Sequence, residues 1–112
     1  MANTFKNAIK SNVTSGSYDT LYTAPTGSGN SAVILGLAMA NKTTSAVTVK
    51  VQITDTSASG TIQLLESVSI PANTTLEALA GQKYVLEAGD IVKIQAGTGN
   101  AMDAFLGVME RT

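Results

Sequence analysis

The chain has 112 residues, of which 44% are apolar, 13% charged and 4% aromatic, with a formal net charge of -1. A single domain of this length can bury a core, whereas two domains would each fall near the lower limit for independent folding. Such a sparse and balanced charge argues against intrinsic disorder and against bulk electrostatic binding of nucleic acid. The solvent-facing side chains must therefore come mainly from Thr, Ser, Asn, Gln and Gly.

Cysteine, histidine and tryptophan are absent. The chain therefore has no thiolate or imidazole ligand for a metal, no thiol nucleophile and no Ser-His-Asp triad. We predict a protein that is not an enzyme, with no catalytic residues, no cofactor and no metal ligands. Calcium is the one metal that the carboxylates leave open, through Asp55, Asp90 or Asp103 with backbone carbonyls.

Two loops contain the pattern Gly-x-Gly, at Gly27 and Gly29 and at Gly97 and Gly99. Neither continues into a dinucleotide-binding or Walker motif, so we interpret both as turns that need glycine at positive φ. No apolar run approaches the roughly 18 residues of a membrane span, and the first residues lack the apolar core of a signal peptide. We expect neither nucleic acid nor membrane as a partner.

A period of two dominates the sequence and predicts β-strands. In chain order, the predicted strands cover residues 18–24, 32–40, 46–54, 61–70, 75–80, 82–86, 90–96 and 102–110. The clearest is residues 46–54, where four β-branched side chains alternate with polar ones. The predicted core faces are Val47, Val49, Val51 and Ile53; Ile62, Leu64, Val68 and Ile70; Val92, Ile94 and Ala96; and Met102, Ala104, Leu106 and Val108.

Two local features refine this pattern. Glu66 falls on the apolar face of its predicted strand, which indicates a bulge near Leu65 and Glu66 or an edge position. In Ala88-Gly89-Asp90, Gly89 can supply positive φ and Asp90 can cap the turn with its carboxylate.

The Asn-x-Thr triplets at 12, 41 and 73 are interpreted as turn residues and not as glycosylation sites.

Turn-forming residues recur about every 10 to 16 positions, the rhythm of an all-β sandwich or barrel. We predict one antiparallel two-sheet β-sandwich of about eight strands over residues 17–112, preceded by an N-terminal arm over residues 1–16. Immunoglobulin-like and jelly-roll topologies are both compatible with the pattern.

The arm contains Phe5 and Ile9 as isolated large apolar residues. We hypothesise that it docks these side chains on an adjacent subunit; the alternative is that it folds back as an edge strand of its own sandwich. Tyr18 and Tyr22 share parity in one predicted strand and could form an oligomer contact or a sugar platform, or simply be partly buried tyrosines. The candidate assembly contacts are therefore Phe5, Ile9, Tyr18 and Tyr22.

Four short stretches follow one another in a characteristic order along the chain. They are Tyr22-Thr23-Ala24-Pro25, Gly36-Leu37-Ala38-Met39-Ala40-Asn41, Ile70-Pro71-Ala72 and Leu86-Glu87-Ala88-Gly89-Asp90. In order and spacing, residues 17–110 resemble a family of small virion structural proteins of tailed bacteriophages, including phages of cyanobacteria. Each motif is turn chemistry that many sandwiches share, so their succession carries the resemblance.

The resemblance implies a non-enzymatic virion protein that acts by subunit packing. Capsid decoration is the leading expectation, and a neck or tail component is the next. It also implies a homo-oligomer whose partners are other virion proteins, located in the virion after synthesis in the host cytoplasm. The competing hypothesis is a carbohydrate- or receptor-binding module for host recognition.

Overall fold

In the computed structural model, which describes residues 2–79 and 81–112, the chain forms nine β-strands. Their bounds are β1 Asn3–Lys10, β2 Asp19–Thr23, β3 Ser31–Asn41, β4 Val47–Asp55, β5 Gly60–Ile70, β6 Thr75–Glu77, β7 Tyr84–Glu87, β8 Ile91–Ala96 and β9 Met102–Arg111. The eight predicted strands correspond to β2 through β9. None of the described residues lies in a helix long and apolar enough to cross a membrane.

The N-terminal segment, predicted as an arm that precedes the sandwich, contains a strand of the sandwich. Asn3–Lys10 forms β1, which pairs antiparallel with β9 from Asn3 opposite Arg111 to Lys10 opposite Ala104. This is the edge-strand alternative, and it joins the segment to the sandwich from which it was expected to stand apart. Two predicted positions, Met1 of the arm and Ala80 of the strand over 75–80, lie outside the described residues.

The strands form a five-stranded sheet in the order β1-β9-β3-β6, with β7 also on β3, and a four-stranded sheet in the order β2-β8-β4-β5. Strands pair as in one long hairpin, first with last: β1 with β9, β2 with β8, β3 with β6 and β7, and β4 with β5. Pairing of β3 with β9 and of β4 with β8 rolls that hairpin into two sheets. The fold is therefore a jelly roll, and the immunoglobulin-like alternative is wrong.

The core lies between the two sheets and follows the predicted alternation. Val47, Val49, Val51 and Ile53 on β4 are at most 9% exposed, which confirms the predicted core face of that strand. The predicted faces of β8 and β9 are confirmed too, since Val92, Ile94, Ala96, Met102, Ala104, Leu106 and Val108 are all buried. A one-residue slip of any of these strands would expose its whole apolar set.

Strand β5 departs from the simple alternation. Its register with β4 shifts between Val49 and Val51 and again between Val51 and Gln52, so β5 carries extra residues. It is also the edge of its sheet, and both predictions made from Glu66 are therefore confirmed. Ile62 lies opposite the buried Ile53 but is 59% exposed on this edge strand, whereas Ile70 is 1% exposed. The predicted core face of this strand was therefore wrong in the burial of Ile62, and the bulge places Leu65, not the predicted Leu64, opposite Val51.

The turn between β7 and β8 forms as its sequence predicted. Gly89 has φ of 81°, and the Asp90 carboxylate accepts a hydrogen bond from the Glu87 backbone N–H at 2.9 Å. The same carboxylate accepts from the backbone N–H of Thr56 at 3.1 Å, which ties this turn to the β4–β5 turn. Because Asp90 is buried, these bonds replace the water that its charge has lost.

The two Gly-x-Gly loops have different physical reasons for their glycines. Gly27 and Gly29 have φ of 116° and 81°, as the turn interpretation predicted. Gly97 has no positive φ; instead, a Cβ there would lie 2.3 Å from the Thr48 hydroxyl, so close approach of two strands requires it. The expectation of positive φ in the second loop is therefore wrong for both Gly97 and Gly99, and Asn100 takes the left-handed conformation with φ of 58°.

The three Asn-x-Thr triplets lie at turns. Asn12 and Asn73 are left-handed, with φ of 55° and 57°. Asn41 ends β3 and is 3% exposed; its side-chain amide donates to the carbonyls of Ser45 and Ile70, and its oxygen accepts from the Thr43 N–H. A buried amide satisfied in this way joins the β3–β4 loop to the end of β5.

We predict that Val49→Asp lowers the free energy of unfolding by about 3–5 kcal/mol, because it places an unpaired carboxylate between the sheets. The matched control is Gln52→Asp, on the outer face of the same strand opposite Lys93, which should change stability by less than about 0.5 kcal/mol. Urea denaturation followed by circular dichroism measures both. Equal effects of the two variants would contradict the core assignment of β4.

Candidate functional site

The middle of the five-stranded sheet is apolar on both of its faces. On β3, Ile34 and Leu37 point into the core and are at most 1% exposed. The register with β9 shifts between Ile34 and Gly36, so Leu35 is an extra residue that bulges outward and is 39% exposed. The remaining outward positions of β3 are also apolar or small: Val33, Gly36, Ala38 and Ala40. A strand of this composition leaves apolar surface outside the sandwich as well as inside it.

Pairing places the outward apolar residues in two rows across the sheet. One row runs from Phe5 on β1 to Met109, Val33 and Val85, and the other from Ile9 to Phe105 and Ala38. Phe5, Ile9, Val85 and Phe105 are 74%, 68%, 69% and 50% exposed. Among the described residues, five of the six exposed large apolar side chains therefore share this outer face, and Ile62 is the sixth. We call it the apolar face.

A trough separates the two rows. Gly107 on β9 lies between Asn7 on β1 and Gly36 on β3, and a Cβ on either glycine would meet nothing within 4 Å. Grooves of about 410 Å³ and about 350 Å³ flank Phe105. The lining of the larger groove includes Ile9, Ala38 and Ala40, with Lys10 and Asp103 as its charged residues. The apolar face thus has grooves that a protruding side chain of another molecule could fill.

The outer face of the four-stranded sheet has the opposite chemistry. Its outward positions on β4 and β8 are Thr48, Lys50, Gln52, Thr54, Lys93 and Gln95, with Ile91 as the apolar exception. Lys50 pairs with Glu66 at 3.5 Å. The two outer faces of the sandwich therefore differ: among the residues that the structure describes, the contiguous apolar surface typical of an interaction site lies on the five-stranded sheet.

The rim of the apolar face includes a paired aspartate and lysine. Asp103 accepts a hydrogen bond from the Asn12 backbone N–H at 2.9 Å and pairs with Lys42 at 3.0 Å. The hydrogen bond from Asn12 and then the contact with Lys42 lower the pKa of Asp103 below its ordinary value. These bonds hold the chain that follows β1 and β3 against β9, so the rim is built by three separate segments.

On the inner side of the five-stranded sheet, one carboxylate of β9 contacts both the edge strand β1 and strand β2 of the other sheet. Glu110 on β9 is 8% exposed; it accepts a hydrogen bond from the Tyr22 hydroxyl of β2 at 2.5 Å and pairs with Lys6 of β1 at 3.1 Å. The hydrogen bond from Tyr22, with a smaller contribution from Lys6, lowers the pKa of Glu110. Burial and the same hydrogen bond raise the pKa of Tyr22.

The four candidate assembly contacts separate in the structure. Phe5 and Ile9 lie together on the apolar face, and their role in assembly remains a proposal. Tyr22 packs against the core with its hydroxyl on Glu110, and the Tyr18 hydroxyl accepts from Gln63 of β5 at 3.2 Å. The structure therefore does not group the two tyrosines with Phe5 and Ile9.

Sequence reasoning did not select four members of the apolar face: Leu35, Val85, Phe105 and Met109. The signal in β9 was present, since Phe105 and Met109 alternate with the buried positions on that strand. Nothing in the sequence showed that their side of β9 would join β1 and β3 across a sheet. That juxtaposition depends on the pairing of the first strand with the last.

The structure also brings Asp55 together with two carboxylates of the β7–β8 turn, Glu87 and Asp90. Ligand oxygens of Asp55, Glu87 and Asp90 lie within 4.8 Å of one another. Asp103, the third residue considered for calcium, lies elsewhere with Lys42. Neighbouring groups already use these oxygens, because Asp55 accepts from Ser57 and Ala58 and Glu87 accepts from Ser57. The cluster therefore acts as a set of turn caps.

No protein family model matches this chain, and no curated protein sequence matches it. Solved structures do. A chain of the Bacillus endospore appendages, described as disulfide-linked pili, is 12% identical with a TM-score of 0.57, and the match covers 98% of this chain and 88% of that one. A chain of infectious bursal disease virus, Gx strain, is 14% identical with a TM-score of 0.55, covering 97% of this chain and 33% of that one.

A chain of the acid-stable capsid of Helicobacter pylori bacteriophage KHP30 is 16% identical with a TM-score of 0.51; the match covers 98% of this chain and 87% of that one. Similarity at this level of identity extends to the fold alone. The fold hosts unrelated functions, so function has to be argued from the surface of this chain.

We predict that the link between Tyr22 and Glu110 makes stability depend on pH in two directions. The lowered pKa of Glu110 gives stability that is full above its ordinary value of 4.5 and is lost as the pH falls through the folded-state value. The raised pKa of Tyr22 gives stability that is full below its ordinary value of 10.0 and is lost as the pH rises further.

Tyr22→Phe removes the tyrosine titration and the largest cause of the lowered Glu110 pKa, and it should cost about 2 kcal/mol at neutral pH, since it deletes a hydrogen bond to a charged group. The difference from the wild type should shrink at acidic and at alkaline pH. Urea denaturation over a series of pH values measures it. A difference that stays constant from acid to alkali would show that the hydrogen bond is not linked to these two titrations.

Proposed function

We propose that this chain is a non-enzymatic structural subunit of a phage virion that acts by packing against other subunits. The observation that carries the proposal is the apolar face, on which Phe5, Ile9, Val85 and Phe105 are each at least half exposed. Leaving such a surface in water is unfavourable, at roughly 25 cal/mol for each Å² of apolar area. A second layer of protein would remove that cost.

Two observations support a structural role. At the rim of the apolar face Asp103 is already paired with Lys42 at 3.0 Å, so packing this face would not leave the Asp103 carboxylate without a partner. The similar solved structures also include chains of a bacteriophage capsid, of a virus and of pili. These are assemblies of repeated subunits, and the same way of working is proposed for this chain.

Within the virion, capsid decoration is the role we propose, with a neck or tail component as the next candidate. A single small jelly roll with one apolar and one polar outer face suits repeated placement on a lattice, with the polar face of the four-stranded sheet toward solvent. The natural partners are other virion proteins and further copies of the same chain.

A carbohydrate- or receptor-binding role is less well supported. Sugar platforms present flat aromatic side chains together, whereas Tyr18 and Tyr22 are engaged separately, with Gln63 and with Glu110. The larger groove beside Phe105 has one aromatic residue among its lining residues. The assembly role uses the whole apolar face, and the carbohydrate role would use only this groove.

We predict that Phe105→Asp abolishes or strongly weakens assembly while the subunit stays folded, because the side chain lies outside the core. Ile62→Asp is the matched control, since Ile62 is also a large apolar residue and is similarly exposed, at 59%, but lies on the other sheet. Sedimentation velocity with purified protein measures association, and thermal melting measures folding. Unchanged association of Phe105→Asp, or equal loss in Ile62→Asp, would contradict the role of the apolar face.

We also predict that the protein is found in purified phage particles at hundreds of copies each, as expected for a protein that decorates a capsid lattice. Quantitative mass spectrometry of particles, with the major capsid protein as the internal standard, measures the copy number. A count of about a dozen would favour a neck or tail component. Absence from the particles would refute the virion proposal and leave the carbohydrate-binding candidate.

A further inference from the structure

Three of the four sheet edges carry features that discourage pairing with another chain. Edge strand β5 is bulged and contains Ser67 at φ of 52°, and edge strand β2 is short and shifts register between Thr20 and Tyr22. The edge formed by β6 and β7 is divided into strands of three and four residues. Short, bulged or interrupted edges are the usual protection against sheet extension.

Strand β1 lacks these features. It has eight residues, its register with β9 is unbroken, and its sequence NTFKNAIK contains neither proline nor glycine. Its lysines are the remaining protection, but the Lys6 ammonium is already paired with the buried Glu110 at 3.1 Å. An added strand would therefore not leave that charge unpaired. Long, flat and partly apolar edges are templates for a further strand.

The backbone of β1 fixes which residues a new strand would meet. Ala2 and Thr112 exchange two backbone hydrogen bonds, at 2.9 and 3.0 Å. Hydrogen-bonded and non-hydrogen-bonded pairs alternate along an antiparallel ladder, so the even-numbered residues of β1 bond to β9. The N–H and C=O groups that point to the free edge are then those of Asn3, Phe5, Asn7 and Ile9.

We propose that β1 pairs antiparallel with β1 of a second copy of this chain, about a two-fold axis through Asn7. This inference rests on the proposed function and names its partner. In this register Asn7 faces Asn7 and Phe5 faces Ile9, and all three carry free edge groups. Lys6 faces Ala8 and Lys10 faces Thr4, so no lysine meets another lysine.

The self-complementary pattern of β1 favours a second copy of this chain as the partner. An interface with two-fold symmetry requires one surface to match itself, and the pattern around Asn7 does so in polarity and in charge. A two-fold axis at Lys6 would instead place the two Lys6 side chains opposite each other, which is unfavourable. Pairing about Asn7 also joins the apolar faces of both copies into one ten-stranded surface, with Phe5 beside Ile9 at the seam.

The test places charges at the proposed axis. Asn7→Lys and Asn7→Asp each put like charges directly opposite in a homodimer, so each should raise the dissociation constant about tenfold or more. An equimolar mixture of the two variants should form a heterodimer with an affinity close to that of the wild type. Sedimentation equilibrium of the full chain measures all three. Asn7 is exposed, and thermal melting should show that both variants fold as the wild type does.

Asn3→Lys is the matched control. It lies on the same free edge, but in the proposed register the two Asn3 residues are about 27 Å apart along the strands. It should dimerise as the wild type does. A wild type that stays monomeric, or single Asn7 variants that dimerise normally, or a mixture no tighter than its components, would overturn the proposed pairing.

The failure of this pairing can be distinguished from failure of the proposed function. If Phe105→Asp weakens association while the Asn7 variants do not, the apolar face assembles without β1 pairing. If a strand of a different protein binds β1 and the wild type remains monomeric, the second-copy assignment is wrong although the edge is used. If none of these variants changes association, both proposals fail.

Discussion

Strand β3 constrains the rest of the structure because it is apolar on both of its faces. It lies in the middle of a sheet and carries apolar residues on both faces, so both faces need a cover. The four-stranded sheet covers the inner face and excludes water from Ile34 and Leu37. The neighbouring strands do not cover the outer face of β3. They extend its apolar surface with Phe5, Ile9, Val85 and Phe105. The chain buries the inner face of β3 by itself, and we propose that association with other subunits buries the outer face.

The rolled hairpin explains how one short chain produces two unlike surfaces. Pairing the first strand with the last brings β1 beside β9, so residues about 100 positions apart share one face. A bulge at Leu35 keeps Ile34 and Leu37 inside while it adds apolar surface outside. Glu110 then secures the edge by linking Tyr22 of one sheet to Lys6 of the other. The same linkage pairs Lys6, one of the two lysines of β1.

Local sequence determined most of the fold. The strict alternation of Val47 to Ile53 was sufficient to predict a strand and its buried face, and Gly89 with Asp90 was sufficient to predict a turn. The β1 segment was harder to assign, because only Phe5 and Ile9 are large and apolar and both face outward. Its inner face carries Lys6, whose partner Glu110 is about 100 residues away, so no window of local sequence shows the pair. The apolar face escaped prediction for the same reason: it is assembled by strand pairing across the chain.

The central claim is that the apolar face is buried in the assembled particle. Hydroxyl-radical footprinting read by mass spectrometry tests it directly, because Phe5, Phe105 and Met109 are reactive side chains on that face. We expect oxidation of these three residues to fall in the assembly relative to the isolated subunit, while oxidation of exposed Ile62 on the other sheet is unchanged. Equal oxidation of the three residues in both states would contradict it.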